Sequence, residues 1–370
     1  MNFLFSIIPS ILILGVLIII HEYGHFLACR MTGVKVEKFS IGFGPEIFHW
    51  QGKETRYVVS LLPLGGYVKP SGESVSELEE SGPRSGDYLA APVGKRIFIV
   101  VSGVLMNYLL AFVLFTVLFM TGRPVPGTMI GTFIDGYPAK TSGLAIGDKF
   151  LKVNGEEVNT WPQLTGALEK SPAGDSEFLV ERKEGDRLSQ LTFRIAPKAE
   201  EVKDVFGGSF QMKRLGITPH PQANEFERFG FGEAISHAWE TEAGMTVVTH
   251  KAIFFLLLGK ISVKTLTGPI GIISMAGTAA RMGLPYILHL AATLSVSLAV
   301  LNLLPIPALD GGHFFFLLIE AIRRKPVSLV VQERATQVGF TLLLTLMALV
   351  IYNDLVNLNV IGKIQGIFQH

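Results

Sequence analysis

The sequence predicts a polytopic α-helical membrane protein with four transmembrane helices, a membrane-associated β-sheet after the first helix, and an inserted α/β domain. Three observations carry that reading. Hydrophobic residues make up 49% of the 370-residue chain and charged residues only 17%, whereas a soluble protein of this length carries nearer a quarter charged. Four stretches are long and apolar enough to cross a hydrocarbon layer, which takes about 20 residues. Between the second and third of them, turn-rich alternating sequence replaces the apolar runs.

The formal net charge of +1 gives no electrostatic case for nucleic acid or for an acidic soluble partner, so no nucleic-acid partner is expected. The single cysteine, Cys29, excludes an internal disulfide and a cysteine-based zinc cluster, so an outward-facing domain must fold on its own core.

Taken in order, residues 1–33 hold the first span, an apolar run over 3–27 interrupted only by His21, Glu22, Tyr23, Gly24 and His25. Met1 and Asn2 supply no basic n-region and no small-residue cleavage site follows, so this segment is expected to stay rather than be removed as a signal. Residues 34–92 form the sheet and a cytoplasmic loop: 34–39 alternate, 51–53 read as a turn, and 56–62 continue as strand into 63–68. Backbone so apolar beside a span is expected to dip toward a buried site, because irregular backbone survives at membrane depth only inside protein or against a cavity. The polar stretch from Ser71 to about Gly86 reads as a mobile loop.

Residues 93–122 hold the second span, over 97–121, and residues 123–200 the inserted domain with its helix at 160–169. Residues 201–283 read as an amphipathic brace, helical over 231–250, with a short apolar run at 252–258 that is too short to span. The third span lies within 284–320, residues 321–334 form a loop, and 335–370 hold the fourth span and a tail. Arg30, Lys35 and Lys38, Lys95 and Arg96, and Arg323, Arg324, Lys325 and Arg334 flank two loops that should therefore be cytoplasmic. Both termini and the inserted domain then face outward, with Arg123 a weak counter-signal.

The chemistry concentrates at HEYGH, residues 21–25. Histidines four positions apart on a helix share one face, and a carboxylate beside the first reaches the same point, which is the pattern of a zinc site with a general base. Catalytic zinc generally takes three protein ligands, and the third candidate beside His21 and His25 is Asp310, in NLLPIPALDGGH at 302–313. An aspartate is expensive at membrane depth and usually has a partner there. Pro305 and Pro307 remove backbone donors while Gly311 and Gly312 allow close approach, so the segment can be partly extended at the metal. Glu22 is the candidate general base, drawing a proton from water whose pKa zinc lowers to about 7. Two imidazoles and a carboxylate suit Zn2+ as the cofactor. His313 reads as an outer or interfacial residue, His289 as a packed polar one, and Asn107 as an interhelical hydrogen bond. Asn302 has two open readings, holding an unwound substrate backbone or stabilising the oxyanion.

Together these motifs resemble the site-2 protease family of intramembrane zinc metalloproteases, in particular its bacterial RseP-type branch. HEYGH matches the family's HExxH, and 302–311 its Asn-x-x-Pro-x-x-x-Leu-Asp-Gly pattern; FSIGFGP at 39–45 and LGGYVK at 64–69 are similar to segments flanking its re-entrant sheet. Within the inserted domain, Pro138, Ala139, Gly143, Leu144, Gly147 and Asp148, followed by Asn154 and Gly155, resemble a PDZ domain. Two departures stand out: one PDZ-like unit where better-known members carry two, and SGVLMN at 102–107 where a Gly-Pro commonly precedes the asparagine.

The resemblance implies a bacterial cytoplasmic (inner) membrane protease. Its partners would be the lipid bilayer and single-span membrane substrates, such as anti-sigma factors and leftover signal peptides. The PDZ-like domain would filter by size or take a peptide or chain terminus. A transmembrane helix must unwind before it can be cut, and strand addition gives its freed groups partners. The expected edge is 57–68, with Gly65, Gly66 and Tyr67, and the expected opposite wall is Asn302 with Pro305 and Pro307. A non-catalytic adaptor, stapled by zinc and binding envelope proteins, is the alternative. A metal carrier would need ligands strung along a path, and here they gather at one point.

Overall fold

A computed structural model describes residues 3–73, 82, 84–172, 174–185, 187–203, 207–221 and 223–357. Most of the expected loop at 71–86 and the tail after Asn357 lie outside the described residues. The chain divides into two units, one from the described parts of Met1–Met120 and Gly230–His370, the other Thr121–Phe229.

The first unit begins with α1, Phe3–Thr32. Its end is written in sequence: Gly33 takes φ +79°, its amide reaches the Arg30 carbonyl at 3.3 Å, and the Val34 amide reaches Cys29 at 2.9 Å. That is a Schellman cap, and Lys95 closes it further by donating Nζ–H to the Thr32 carbonyl at 2.8 Å.

The antiparallel pair β1 (Val36–Gln51) and β2 (Arg56–Pro70) follows, and both strands are so bent that they pair with each other more than once. Phe39 faces Tyr57 on one side and Val68 on the other, while Tyr57 also pairs with Trp50. The rungs therefore run 46–51, 56–60, 38–41, 66–69. This corrects the expected edge at 57–68: its first part is interior, paired on both sides, and only 66–69 borders the site. Gly42, at φ +92°, makes the bend, since a Cβ there would lie 2.7 Å from the Leu62 carbonyl.

The remaining helices of this unit are α2 (Val93–Thr121), α4 (Phe231–Leu257), α5 (Pro269–Met282), α6 (Leu284–Leu303), α7 (Asp310–Arg323) and α8 (Leu329–Asn357). Among the described residues, four helices are apolar and long enough to cross a membrane: Phe5–Thr32, Val93–Thr121, Leu284–Leu303 and Val330–Asn357. Within the region 284–320 the third span ends at Leu303 and a second helix follows the proline break. Leu304 is extended, Pro305 and Pro307 cannot continue the ladder, and the chain re-enters helix only at Asp310. The brace helix runs through 252–258 rather than ending before it.

Small residues let these helices approach closely, as lipid-facing bundles require. Ile13 and Leu17 of α1 pack with Ala276 and Ala279 of α5 and Leu290 of α6. Asp354 of α8 accepts from the Gly268 and Gly271 amides at 3.0 and 2.9 Å, anchoring the start of α5. Arg96 of α2 and Glu320 of α7 form a buried bidentate pair at 2.5 and 3.2 Å, their side chains 9% and 12% exposed.

In the second unit, β5 (Lys149–Val153), β6 (Glu156–Glu157), β7 (Ser176–Glu184) and β8 (Arg187–Ile195) form a sheet ordered β6-β5-β7-β8. Helix α3 (Trp161–Lys170) packs Leu164 and Leu168 into a core with Ile130, Phe150, Phe178 and Val180. Arg182 holds Asp148 with two hydrogen bonds of 2.8 Å, and Ala145 donates its amide to the same carboxylate, which fixes the 143–148 turn. The unit does not close at residue 200. β11 (Ile217–Pro219) pairs with β4 (Ile130–Phe133), β12 (Asn224–Glu227) pairs with β3 (Arg123–Pro126), and Leu215 enters the core. A hairpin of β9 (Lys198–Lys203) and β10 (Ser209–Arg214) precedes them.

Candidate metal centre

One turn of α1 presents His21 and His25 with rings 4.8 Å apart, set edge-on at 86°. The start of α7 brings Asp310 to the same point: Oδ2 lies 3.0 Å from His21 Nε2 and 3.5 Å from His25 Nε2, and the two Nε2 atoms are 3.2 Å apart. His21 is 7% exposed. Ligands about 2.1 Å from a tetrahedral ion stand about 3.4 Å from one another, so the spacing fits a small tetrahedral cation. The donor chemistry agrees. Asp310 Oδ2 is buried with no hydrogen-bond donor, and three acceptors converge on one point, an arrangement a cation relieves.

Sequence makes the convergence possible in three ways. Gly311 and Gly312 admit the carbonyls of Leu303, Leu304 and Ile306, where any side chain would collide. Ala308, between the proline break and Asp310, stands at φ +112°, a strained conformation for an L side chain. Gly24 of α1 and Gly103 of α2 bring those helices together, with Ser102 donating Oγ–H to the Gly24 carbonyl at 2.9 Å. Behind the rings, His25 Nδ1 lies 2.8 Å from the Ile99 carbonyl and His21 Nδ1 lies 3.1 Å from the Asn107 amide.

A cavity of about 260 Å3 opens on the centre, lined by His21, Glu22, Asn302, Asp310 and His313 among others. Glu22 sits beside the edge rung of the sheet, where a Cβ on Gly66 would lie 3.7 Å from its Cγ.

The structure thus gathers His21, Glu22, Asp310 and Asn302 at one cavity, holds His25 against His21 and Asp310, and sets Gly66 beside Glu22. Gly65, Tyr67, Pro305 and Pro307 are not among the lining residues. Tyr67 stacks on Phe43 at 6.0 Å, and Gly65 packs under the Phe43 ring at φ +130°. Pro307 turns its carbonyl toward Gly339 of α8, so the prolines shape the break rather than the wall. His289 packs edge-on against Phe115, 6.2 Å away. Sequence reasoning missed Gly103 and the Ile99 carbonyl. A lone helical glycine is a weak signal, and a backbone carbonyl gives none.

The sequence model of peptidase family M50 matches residues 9–346. The chain belongs to peptidase family M50. An M50 relative from Agrobacterium fabrum, named "putative zinc metalloprotease", is 33% identical over 365 residues, covering 95% of this chain and 96% of its own. Another of that name, from Clostridium acetobutylicum, is 33% identical over 357 residues, with 95% and 98% covered. Zinc metalloprotease RasP of Geobacillus kaustophilus is 29% identical over 425 residues, covering 95% and 97%. M50 peptidases, the site-2 protease family, use zinc, and the donor set of His21, His25 and Asp310 fits that ion.

Proposed function

We propose that this M50 member is an intramembrane zinc endopeptidase, cutting peptide bonds within or near the transmembrane segments of single-span membrane proteins. One observation carries the reading: His21, Asp310 and the carboxylate of Glu22 line one cavity among helices apolar enough to span a membrane, with Gly66 of the sheet's outer rung beside Glu22.

Zinc, when bound by His21, His25 and Asp310, supplies a Lewis acid that acidifies water and polarises the scissile carbonyl. Glu22 takes the proton of the attacking water and returns it to the leaving nitrogen. The backbone edge at 66–69 accepts the unwound substrate as an added strand, with Asn302 on the opposite wall. The apolar surround keeps other water away.

The resemblance implies a bacterial cytoplasmic membrane location, and the distribution of Lys and Arg supports an orientation with both termini and the 121–229 unit outside. That unit serves as a PDZ-like filter or holds a chain terminus, and anti-sigma factors and leftover signal peptides are the substrate classes expected from the resemblance.

The test compares wild type with Glu22→Gln in mild detergent, measuring bound zinc and the fragments of a single-span substrate by mass spectrometry. Zinc in both and cutting within the span only by wild type supports the proposal. Zinc in both and cutting by neither, even with trimmed substrates, favours a zinc-stapled adaptor.

A further inference from the structure

Asn107 is 0% exposed in the middle of α2, a costly setting for a primary amide. Its side-chain nitrogen, as assigned, faces His21 Nδ1 at 3.1 Å, while its Oδ1 is buried without a partner. That assignment conflicts with the chemistry of the ring. His21 converges on His25 and Asp310 through Nε2, so the ring proton belongs on Nδ1, and Nδ1–H needs an acceptor. Oxygen and nitrogen of a side-chain amide exchange by a half-turn that leaves the atom positions unchanged. After that turn Oδ1 accepts from Nδ1–H, and the NH2 takes the place where the oxygen had no donor.

The backbone of Asn107 is held as well. Ser295 of α6, itself buried, donates Oγ–H to the Asn107 carbonyl at 2.7 Å. The residue therefore joins α1, α2 and α6 at one point.

We propose that Asn107 is the positioning residue for His21. Its amide oxygen fixes the tautomer and ring plane that aim Nε2 at the metal. The Ile99 carbonyl, 2.8 Å from His25 Nδ1, performs the same task for the second imidazole, so α2 orients both rings that α1 carries. Substitution cannot remove the carbonyl, but it can remove the amide. The inference rests on reading His21, His25 and Asp310 as the zinc ligands.

The test uses the full-length protein in detergent with Asn107→Ala, Asn107→Leu and Asn107→Asp. It reads Zn2+ affinity by competition with a chromogenic chelator and, separately, thermal unfolding of the metal-free protein. Losing the outer partner of a histidine ligand weakens metal binding by about 10- to 100-fold. The Ala and Leu variants are expected to fall by that factor, and Asp, an acceptor of the same shape, to restore affinity. A role confined to helix packing would make Asp at least as damaging as Ala. Should the substitutions in α2 prevent folding, Ser295→Ala removes the support and keeps the amide; it lowers zinc affinity if the proposal holds and leaves it unchanged otherwise. The proposal is overturned if Asn107→Ala binds zinc like wild type or if Asp binds as weakly as Ala. If wild type takes up no zinc, the reading of the ligands falls first and the proposal with it.

Discussion

A Cβ on Gly103 would collide with Nε2 of His25 and stand 2.8 Å from Cε1 of His21. Both atoms belong to rings pinned from behind, so neither yields as a flexible side-chain end would. Gly103→Ala is therefore expected to push α2 off α1. Zinc per chain should fall well below that of wild type, at a stability cost of about 1–3 kcal/mol typical of overpacking. Metal analysis after gel filtration checks this, and full zinc occupancy in the variant would count against the geometry.

Asn302 lines the cavity beside Asp310 without being a candidate ligand. Asn302→Ala is expected to leave zinc stoichiometry unchanged and to lower kcat by about 100- to 1000-fold if its amide supports the oxyanion. A rise in KM at constant kcat would assign it to holding the substrate backbone instead.

Breaking the Arg96–Glu320 pair should be costly in one direction only. Glu320→Gln leaves the guanidinium buried without its charge partner, for an expected loss of about 3–5 kcal/mol. Replacing both residues by apolar ones of similar volume should recover most of it. Thermal unfolding in detergent of the single and double variants measures the difference.

Glu242 of α4 has a buried Oε2 with no partner among the described residues, and burial pushes its carboxyl up to about 7. The folded state thus holds the proton more tightly than the unfolded chain, whose value is about 4.3. Its contribution to stability is fully present below that lower value and is lost as pH rises through about 7. The melting temperature of wild type should fall between pH 5 and pH 8 relative to Glu242→Gln, and parallel profiles would contradict the shift.

The candidate ligands were readable before any fold was known because spacing alone puts His21 and His25 on one helix face, and because Asp310 is conspicuous in an apolar setting. The same was not true of their supports. Asn107 could be seen as an amide needing a partner, but the partner lies 86 positions away, and no local pattern names it. The sheet was legible as strand, yet its doubled pairing depends on bends at glycines, so which rung forms an edge was not. The second unit was cut short at residue 200 because β11 and β12 span only three and four residues, too few for alternation to register. The break after the third span was legible, because Pro305 and Pro307 cannot continue the helical ladder. Where helix resumes, at Asp310, was not.

The left-handed alanine at 308 bears on timing. A residue in that conformation costs on the order of 1–3 kcal/mol, and glycine would adopt it with less strain. With prolines at 305 and 307 the segment also has few alternative shapes in the unfolded chain. Alanine therefore trades fold stability for stiffness just ahead of Asp310. The carboxylate's conformational search is finished during folding, so under the proposed function an unwound substrate would meet a candidate ligand already in position.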